Sequence, residues 1–228
     1  MAGLTAKEMQ YEAKVVYEAL ASADAPGYTD RQWSILLTQA QEKVIIEITN
    51  EGLDKNEVNR RAVSKLLTSF TQNLKDLPVS FWPNSKLISF PEAYFHMVYD
   101  NIDDVIKLKS VSYDYVNANL SNPFENPNKD EFWKVVSSRG IIIITDGITE
   151  ASRYKLMYLK RPVPIITKEN IEIEGYSADE ITRQLNCELD PIVHRRIVER
   201  AGRLAEAYVN NQAGYQLSRL EEQSTEQE

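Results

Sequence analysis

The run Tyr158-Leu159-Lys160-Arg161-Pro162-Val163-Pro164-Ile165, and the run Cys187-Glu188-Leu189-Asp190-Pro191 that follows an acidic stretch, decide how this chain is read. The first reads as the end of a β-strand. Prolines at 162 and 164 have no N–H to offer a ladder, so pairing stops there. The second opens a long helix, with Asp190 as N-cap and Pro191 at the first helical position, where a missing N–H costs nothing. An irregular, acidic linker joins them.

Working toward the N-terminus, helix starts are well marked. Thr5 with Glu8 forms a capping box with a Leu4–Met9 staple, and Thr29 with Gln32 repeats it with Tyr28 and Trp33. Asp54 with Glu57 is a third such start, stapled by Leu53 and Val58. Asn128 with Glu131 and Ser177 with Glu180 predict two shorter helices. Apolar stripes follow the first three starts: Met9, Ala13, Val16, Leu20; then Trp33, Leu37, Ala40, Val44, Ile48; then Val58, Ala62, Leu66, Phe70. Each stripe needs a partner surface. Gly52 is placed to cap the second helix. The last helix carries Val193, Ile197, Ala201, Leu204 and Tyr208 and is expected to return to the first three.

The middle of the chain changes period. From about residue 71 to 165, Val, Ile, Tyr and Ser dominate and alternation replaces the helical spacing. Val105 to Val116 reads as one long strand, with a bulge near Lys109-Ser110 where its apolar phase flips. Ile141–Thr145 and Tyr154–Leu159 are expected to pair as a hairpin around Asp146-Gly147. Asn117–Asp130, with Pro123 and Pro127, reads as a long loop carrying Phe124. The resulting expectation is an α+β fold: an antiparallel helical bundle (1–70 and 186–212), an inserted small antiparallel β-domain (71–185) and an extended or disordered acidic tail (213–228).

Composition narrows the function. At 228 residues the chain can bury a sizeable core. Its net charge of −8 argues against coating nucleic acid, which needs concentrated Lys and Arg. An acidic wall would instead keep a polyanion from sticking. The lone Cys187 cannot form an intrachain disulfide and suits a reducing compartment. Residues Met1–Thr5 lack the features of a signal peptide, and no apolar run approaches the ~20 residues that span a bilayer. Synthesis in a cytosol and no membrane partner are expected.

No catalytic pattern emerges. Two histidines, His96 and His194, and one cysteine offer no metal spacing. There is no GxSxG elbow, GxGxxG or GK[ST]. Cys187 and His194 are near in sequence, and a buried thiol with a polar histidine is the simpler reading. Asp100, Asp103, Asp104, Asp130 and Glu131 are carboxylates suited either to acid–base or Mg²⁺ chemistry or to a strand start and a helix first turn, the latter being simpler. Arg195, Arg196, Arg200 and Arg203 are interleaved with Glu199 and Glu206, as on a solvated or subunit-facing surface. Catalytic, cofactor-binding and metal residues are therefore none, and no cofactor is implied.

Large apolar residues in weakly structured contexts stand out more. Phe81-Trp82-Pro83, Phe124, and Tyr215, Leu217 and Leu220 beyond the last bundle helix are either partner contacts or folded onto their own core. Trp82, Phe124, Tyr215, Leu217 and Leu220 are the interface candidates.

Four segments together resemble the head-to-tail connector or ring proteins of crAss-like tailed bacteriophages. They are Leu4-Thr5-Ala6-Lys7-Glu8-Met9-Gln10, Phe90-Pro91-Glu92-Ala93-Tyr94-Phe95-His96, Tyr158-Leu159-Lys160-Arg161-Pro162, and Cys187-Glu188-Leu189-Asp190 with His194, Ile197, Val198 and Ala201. The helices–sheet–terminal-helix order is similar to that of podovirus tail-tube gatekeepers and portal adaptors. The resemblance implies a virion structural protein in a ring, usually twelve-fold, stacked below the portal. It would contact sister copies, the portal protein and adjacent connector or tail ring proteins, with DNA passing through unbound. It implies no catalytic residues. A head-completion or tail protein outside the ring stack is one alternative. A small metal-dependent cytosolic enzyme built on the 100–104 carboxylates is the other.

Overall fold

The computed structural model describes residues 3–21, 26–53, 56–169 and 184–225, with 211–225 as backbone alone. The protein is α+β and divides into two compact units, Met1–Leu66 with Pro162–Glu228, and Leu67–Arg161.

The first unit is built on three long helices. Helices α1 (Ala6–Leu20) and α2 (Asp30–Glu51) both open with complete capping boxes, as their sequences require. The Glu8 N–H donates to Thr5 Oγ1 at 3.3 Å, and the Thr5 N–H donates to Glu8 Oε2 at 2.7 Å. Helix α2 ends at Gly52, whose φ of 94° favours glycine. The edge-to-face rings of Tyr28 and Trp33, 5.5 Å apart, form the staple. After α2 comes the short α3 (Glu57–Ala62), and α5 (His194–Thr225) follows a 3-10 turn, Pro191–Val193. Asp190 caps that turn, its carboxylate accepting from the Ile192 N–H at 3.1 Å. Helix α5 packs against α1 and α2. Met9, Ala13 and Tyr17 of α1, Trp33, Leu37, Val44 and Ile48 of α2, and Ile197, Ala201 and Ala205 of α5 are buried. A Cβ on Gly202 would lie 2.6 Å from Val16 Cγ1, so glycine lets α5 approach α1 closely.

The two prolines after the last strand lead to a polar strip on α2. Gln41 Nε2 donates to the Val163 carbonyl (2.9 Å), the Ile165 N–H to Thr38 Oγ1 (3.1 Å) and the Thr167 N–H to Ser34 Oγ (3.1 Å). Positions 34, 38 and 41 share one helix face. Their side chains thus satisfy alternate backbone groups of an extended segment that cannot continue a sheet. Gln41 also accepts from Cys187 Sγ at 3.1 Å, tying both ends of the linker to one side chain.

The second unit contains two sheets. One has the order β1-β7-β3, using Leu67–Asn73, Arg153–Lys160 and Tyr94–Ile102, all antiparallel. The other has the order β2-β6-β5-β4, using Ser85–Ser89, Gly140–Ile144, Glu131–Ser137 and Lys107–Ser110, with β4 parallel to β5. The run Ile141–Ile144 explains the layering. Ile141 and Ile143 pack with Phe132, Ile88, Tyr154 and Leu156 between the sheets. Ile142 and Ile144 pack with Trp133, Val135, Trp82 and Val116 on the opposite face, under helix α4 (Tyr113–Asn119). A strand buried on both sides reads as a continuous apolar run, and each isoleucine contributes roughly 1.5–3 kcal/mol by burial. At Gly140 a Cβ would overlap the Ile88 carbonyl, so β2 and β6 can pair there only with glycine.

Several expectations are corrected. The third helix stops at Ala62, and Leu67 onward is strand. A four-residue step such as Leu66 to Phe70 fits a strand face as well as a helix face, and the Thr and Ser content there suits a ladder. Its cap is Asn56, whose Oδ1 accepts from the Val58 N–H, while residue 54 lies outside the described residues. Val105–Val116 is not one strand. The phase flip at Ser110 marks a change to helix, with Ser112 capping α4 through the Tyr115 N–H. Strands β6 and β7 do not form a hairpin but belong to different sheets. Asp146 accepts from the Ile148 and Thr149 N–H groups and closes a self-contained turn. Asn128 starts no helix. Its side-chain Oδ1 accepts from the Asp130 and Glu131 N–H groups and launches β5. The backbone of α5 continues to Thr225, past the expected start of an extended tail at 213. The Ser177–Glu180 start lies outside the described residues.

Candidate assembly surfaces

The residues that most resembled chemistry have structural partners. Asp100 receives Lys134 Nζ at 2.6 Å and the Tyr154 hydroxyl at 3.2 Å, in a buried cluster between the two sheets. Asp103 accepts from the Ser152 hydroxyl and N–H and from the Arg153 N–H. Burial pushes the Asp103 carboxyl up, but these hydrogen bonds outweigh it and hold the group below the ordinary aspartate range. Asp104 pairs with Lys155 and accepts from Asn101. Asp103 and Asp104, both at positive φ, form the turn after β3. Among the described residues no three His, Cys, Asp or Glu side chains are grouped to hold a metal.

Cys187 and His194 do not pair. The Cys187 thiol donates to Gln41, and burial pushes it up to about 12. His194 is buried, accepting at Nδ1 from the Leu4 N–H and donating from Nε2 to the Leu189 carbonyl. Of the basic stretch, Arg196 binds Glu47 (3.1 Å) and Glu51 (2.8 Å), and Arg200 binds Glu47, locking α5 to α2. Arg195 and Arg203 are exposed and have no ion pair among the described residues.

The interface candidates divide. Trp82 is folded inward at 5% exposure, its Nε1 donating to Asn117 Oδ1 at 2.9 Å, so it is core and not a presented anchor. A tryptophan between a phenylalanine and a proline, Phe81-Trp82-Pro83, looks exposed in sequence. Helix α4, which covers it, was the element sequence reading missed. Phe124 is 95% exposed. The side chains of Tyr215, Leu217 and Leu220 lie outside the described residues.

Two surfaces emerge, one on each unit. On the second unit, three loops converge on a depression of about 470 Å³ lined by Trp82, Asn84, Asn117, Leu120, Pro127 and Asp146. The same loops present Phe81, Phe124 and Ile148, each more than four-fifths exposed. Ile148 was legible only as an isolated apolar residue in a polar Asp-Gly loop. On the first unit, a groove of about 540 Å³ is lined by Leu4, Pro191 and Ile192 and edged by Arg61 and Arg195. Ile192 is half exposed there, and Arg61 holds Asp190 at 3.2 Å. The groove is assembled from the chain start, α3 and the cap of α5, so no local motif announces it. Exposed apolar groups rimmed by charge are the usual makings of protein–protein contacts.

No helix among the described residues is long and apolar enough to cross a membrane. The sequence model of a family described as phage tail ring protein 3/4 matches residues 4–217. The chain is 26% identical over 221 residues to "Ring protein 4/5" of Bacteroides phage crAss001, covering 90% of this chain and 93% of that protein. It is also 26% identical over 194 residues to "Ring protein 3" of the same phage, covering 75% of this chain and 82% of that one.

Proposed function

The protein belongs to the phage tail ring protein 3/4 family, and from that premise we propose that it forms one ring of a phage head–tail connector, joining portal to tail around the DNA channel. It is a virion structural ring protein of a crAss-like phage. The observation that carries the reading is the extent of the match: residues 4–217 fit the family, and the "Ring protein 4/5" relative aligns over nine-tenths of this chain. In the proposed arrangement the helices of the first unit act as a bundle that builds the ring wall, and the β-rich unit, as an inserted domain, reaches the adjacent component. Twelve copies would match the symmetry usual for such rings. Closed rings use heterologous interfaces, in which one patch meets a different patch on the next subunit. Two dissimilar exposed surfaces on one chain supply that requirement. The net charge of −8 supports a lumen along which DNA slides without adhering.

Imaging of the intact virion tests this directly. A ring at the portal–tail junction whose density fits this chain is the expected result. A particle whose junction is built entirely of other chains would overturn it. Light scattering and negative-stain imaging of the purified protein report whether it closes into rings alone.

A further inference from the structure

We propose that the Phe124 loop of one copy seats in the Leu4–Ile192 groove of the next, with Glu125 facing Arg195. The contact rests on the ring reading and names the two patches that such a ring would join.

Phe124 is presented on a braced loop. Its N–H donates to Asn122 Oδ1 (3.1 Å), the Glu125 and Asn126 N–H groups donate to the Asn122 carbonyl (3.1 and 3.0 Å), and prolines stand at 123 and 127. The Tyr115 hydroxyl donates to Glu125 at 2.8 Å and receives Lys109 Nζ at 3.1 Å. The chain holds an aromatic ring in water and spends five hydrogen bonds keeping its loop in shape. Such preorganisation reduces the ordering cost of docking.

The groove fits that tip in shape and charge. Its floor of Leu4, Pro191 and Ile192 is apolar, and its volume of about 540 Å³ is ample for one aromatic side chain. Asp190, its carboxylate, is already engaged by Arg61 and the Ile192 N–H, whereas Arg195 has no ion pair among the described residues. Residues 109–131 carry four carboxylates (Asp114, Glu125, Asp130, Glu131) against two cations, Lys109 and Lys129, and so remain net acidic. An acidic apolar tip and a cationic apolar groove are complementary, and complementarity of this kind sets register between subunits. The tip and groove are different patches, so the contact propagates from copy to copy. A neighbour's C-terminal segment, with Leu217, Leu220 and its glutamates, is the competing occupant. The family match ends at residue 217, whereas tip and groove both lie inside it.

The test mixes two full-length variants with one introduced cysteine each, Phe124→Cys and Ile192→Cys, under mild oxidation, the native Cys187 being held against Gln41 in both. Both positions are exposed, so folding is retained. A disulfide-linked dimer of the two different chains is expected, and the double variant should give a ladder of covalent oligomers. Glu125→Arg and Arg195→Glu should each weaken assembly by about tenfold, and their combination should restore most of it. Rings seen by imaging without a 124–192 bond would overturn the contact and leave the ring intact. So would dominant 124–124 bonding, or capture of a Leu217→Cys chain by the groove instead. Absence of rings both in solution and in the virion would remove the functional reading and this contact together.

Discussion

The Leu4 backbone N–H donates to His194 Nδ1 at 3.0 Å, joining residues 190 positions apart. The opposite ring nitrogen lies 3.2 Å from the Leu189 carbonyl. Because Nδ1 accepts, Nε2 carries the proton and donates. One imidazole thus ties the start of the chain to the cap of α5.

His194→Ala leaves a donor and an acceptor without partners and opens a void beneath them. A loss of about 2 kcal/mol or more is expected. It would appear as a lower urea midpoint at unchanged slope. An unaltered midpoint would show that water replaces the ring at no cost.

The pair Asp100–Lys134 is buried on both sides, with side-chain exposures of 7% and 13%. Asp100→Ala strands the ammonium between two sheets and should cost about 3–5 kcal/mol. Asp100→Leu with Lys134→Met should be far milder, because two well-packed apolar groups remove the desolvation penalty as well as the attraction. Thermal unfolding of the two single variants and the double variant measures the coupling.

Asp103 gives the second unit an acid sensitivity of definite sign. Its carboxyl is held below the ordinary value of 3.8 by hydrogen bonds from Ser152 and Arg153 that outweigh burial. The stabilisation is therefore complete above the unfolded pKa and is lost as pH falls through the lower, folded one. Asp146, held down in the same way by Thr149 and Ile148, acts in the same direction. Asp103→Asn, which tolerates the positive φ of 49°, should flatten the acid limb of a stability–pH curve. A limb as steep as the parent's would refute the assignment.

Cys187 should resist labelling. With its thiol pushed up to about 12 by burial, almost no thiolate exists at pH 8. Ellman's reagent should react only after urea unfolding, and rapid reaction of the native protein would contradict the geometry around Gln41.

Deleting residues 213–228 should weaken assembly and leave the fold in place, since the buried contacts described for α5 run only to Ala205. Circular dichroism should be native-like while light scattering reports smaller species. Loss of folding would show that this segment supports the helices it extends.

Much of the helical architecture was legible in the sequence. Capping boxes at Thr5 and Thr29, the glycine at 52 and the Asp190-Pro191 start are local chemistry, written within four residues of each boundary. The sheet was less legible. Ile141–Ile144 announced a buried strand but not its partners, because pairing is settled by residues far along the chain. The role of the strip Ser34, Thr38 and Gln41 has no local signal, because its partner, the segment after Pro162, lies far along the chain. Of the interface candidates, Phe124 is exposed and Trp82 is buried, although their sequence settings are much alike.

Spacing and capping chemistry alone marked the amphipathic helices and the β-rich middle, since those properties depend on near neighbours. Which sheet each strand joins, that Trp82 is covered while Phe124 is bare, and that Leu4, Arg61 and Ile192 share one groove were settled only by folding, because long-range contacts decide which side chains water can reach.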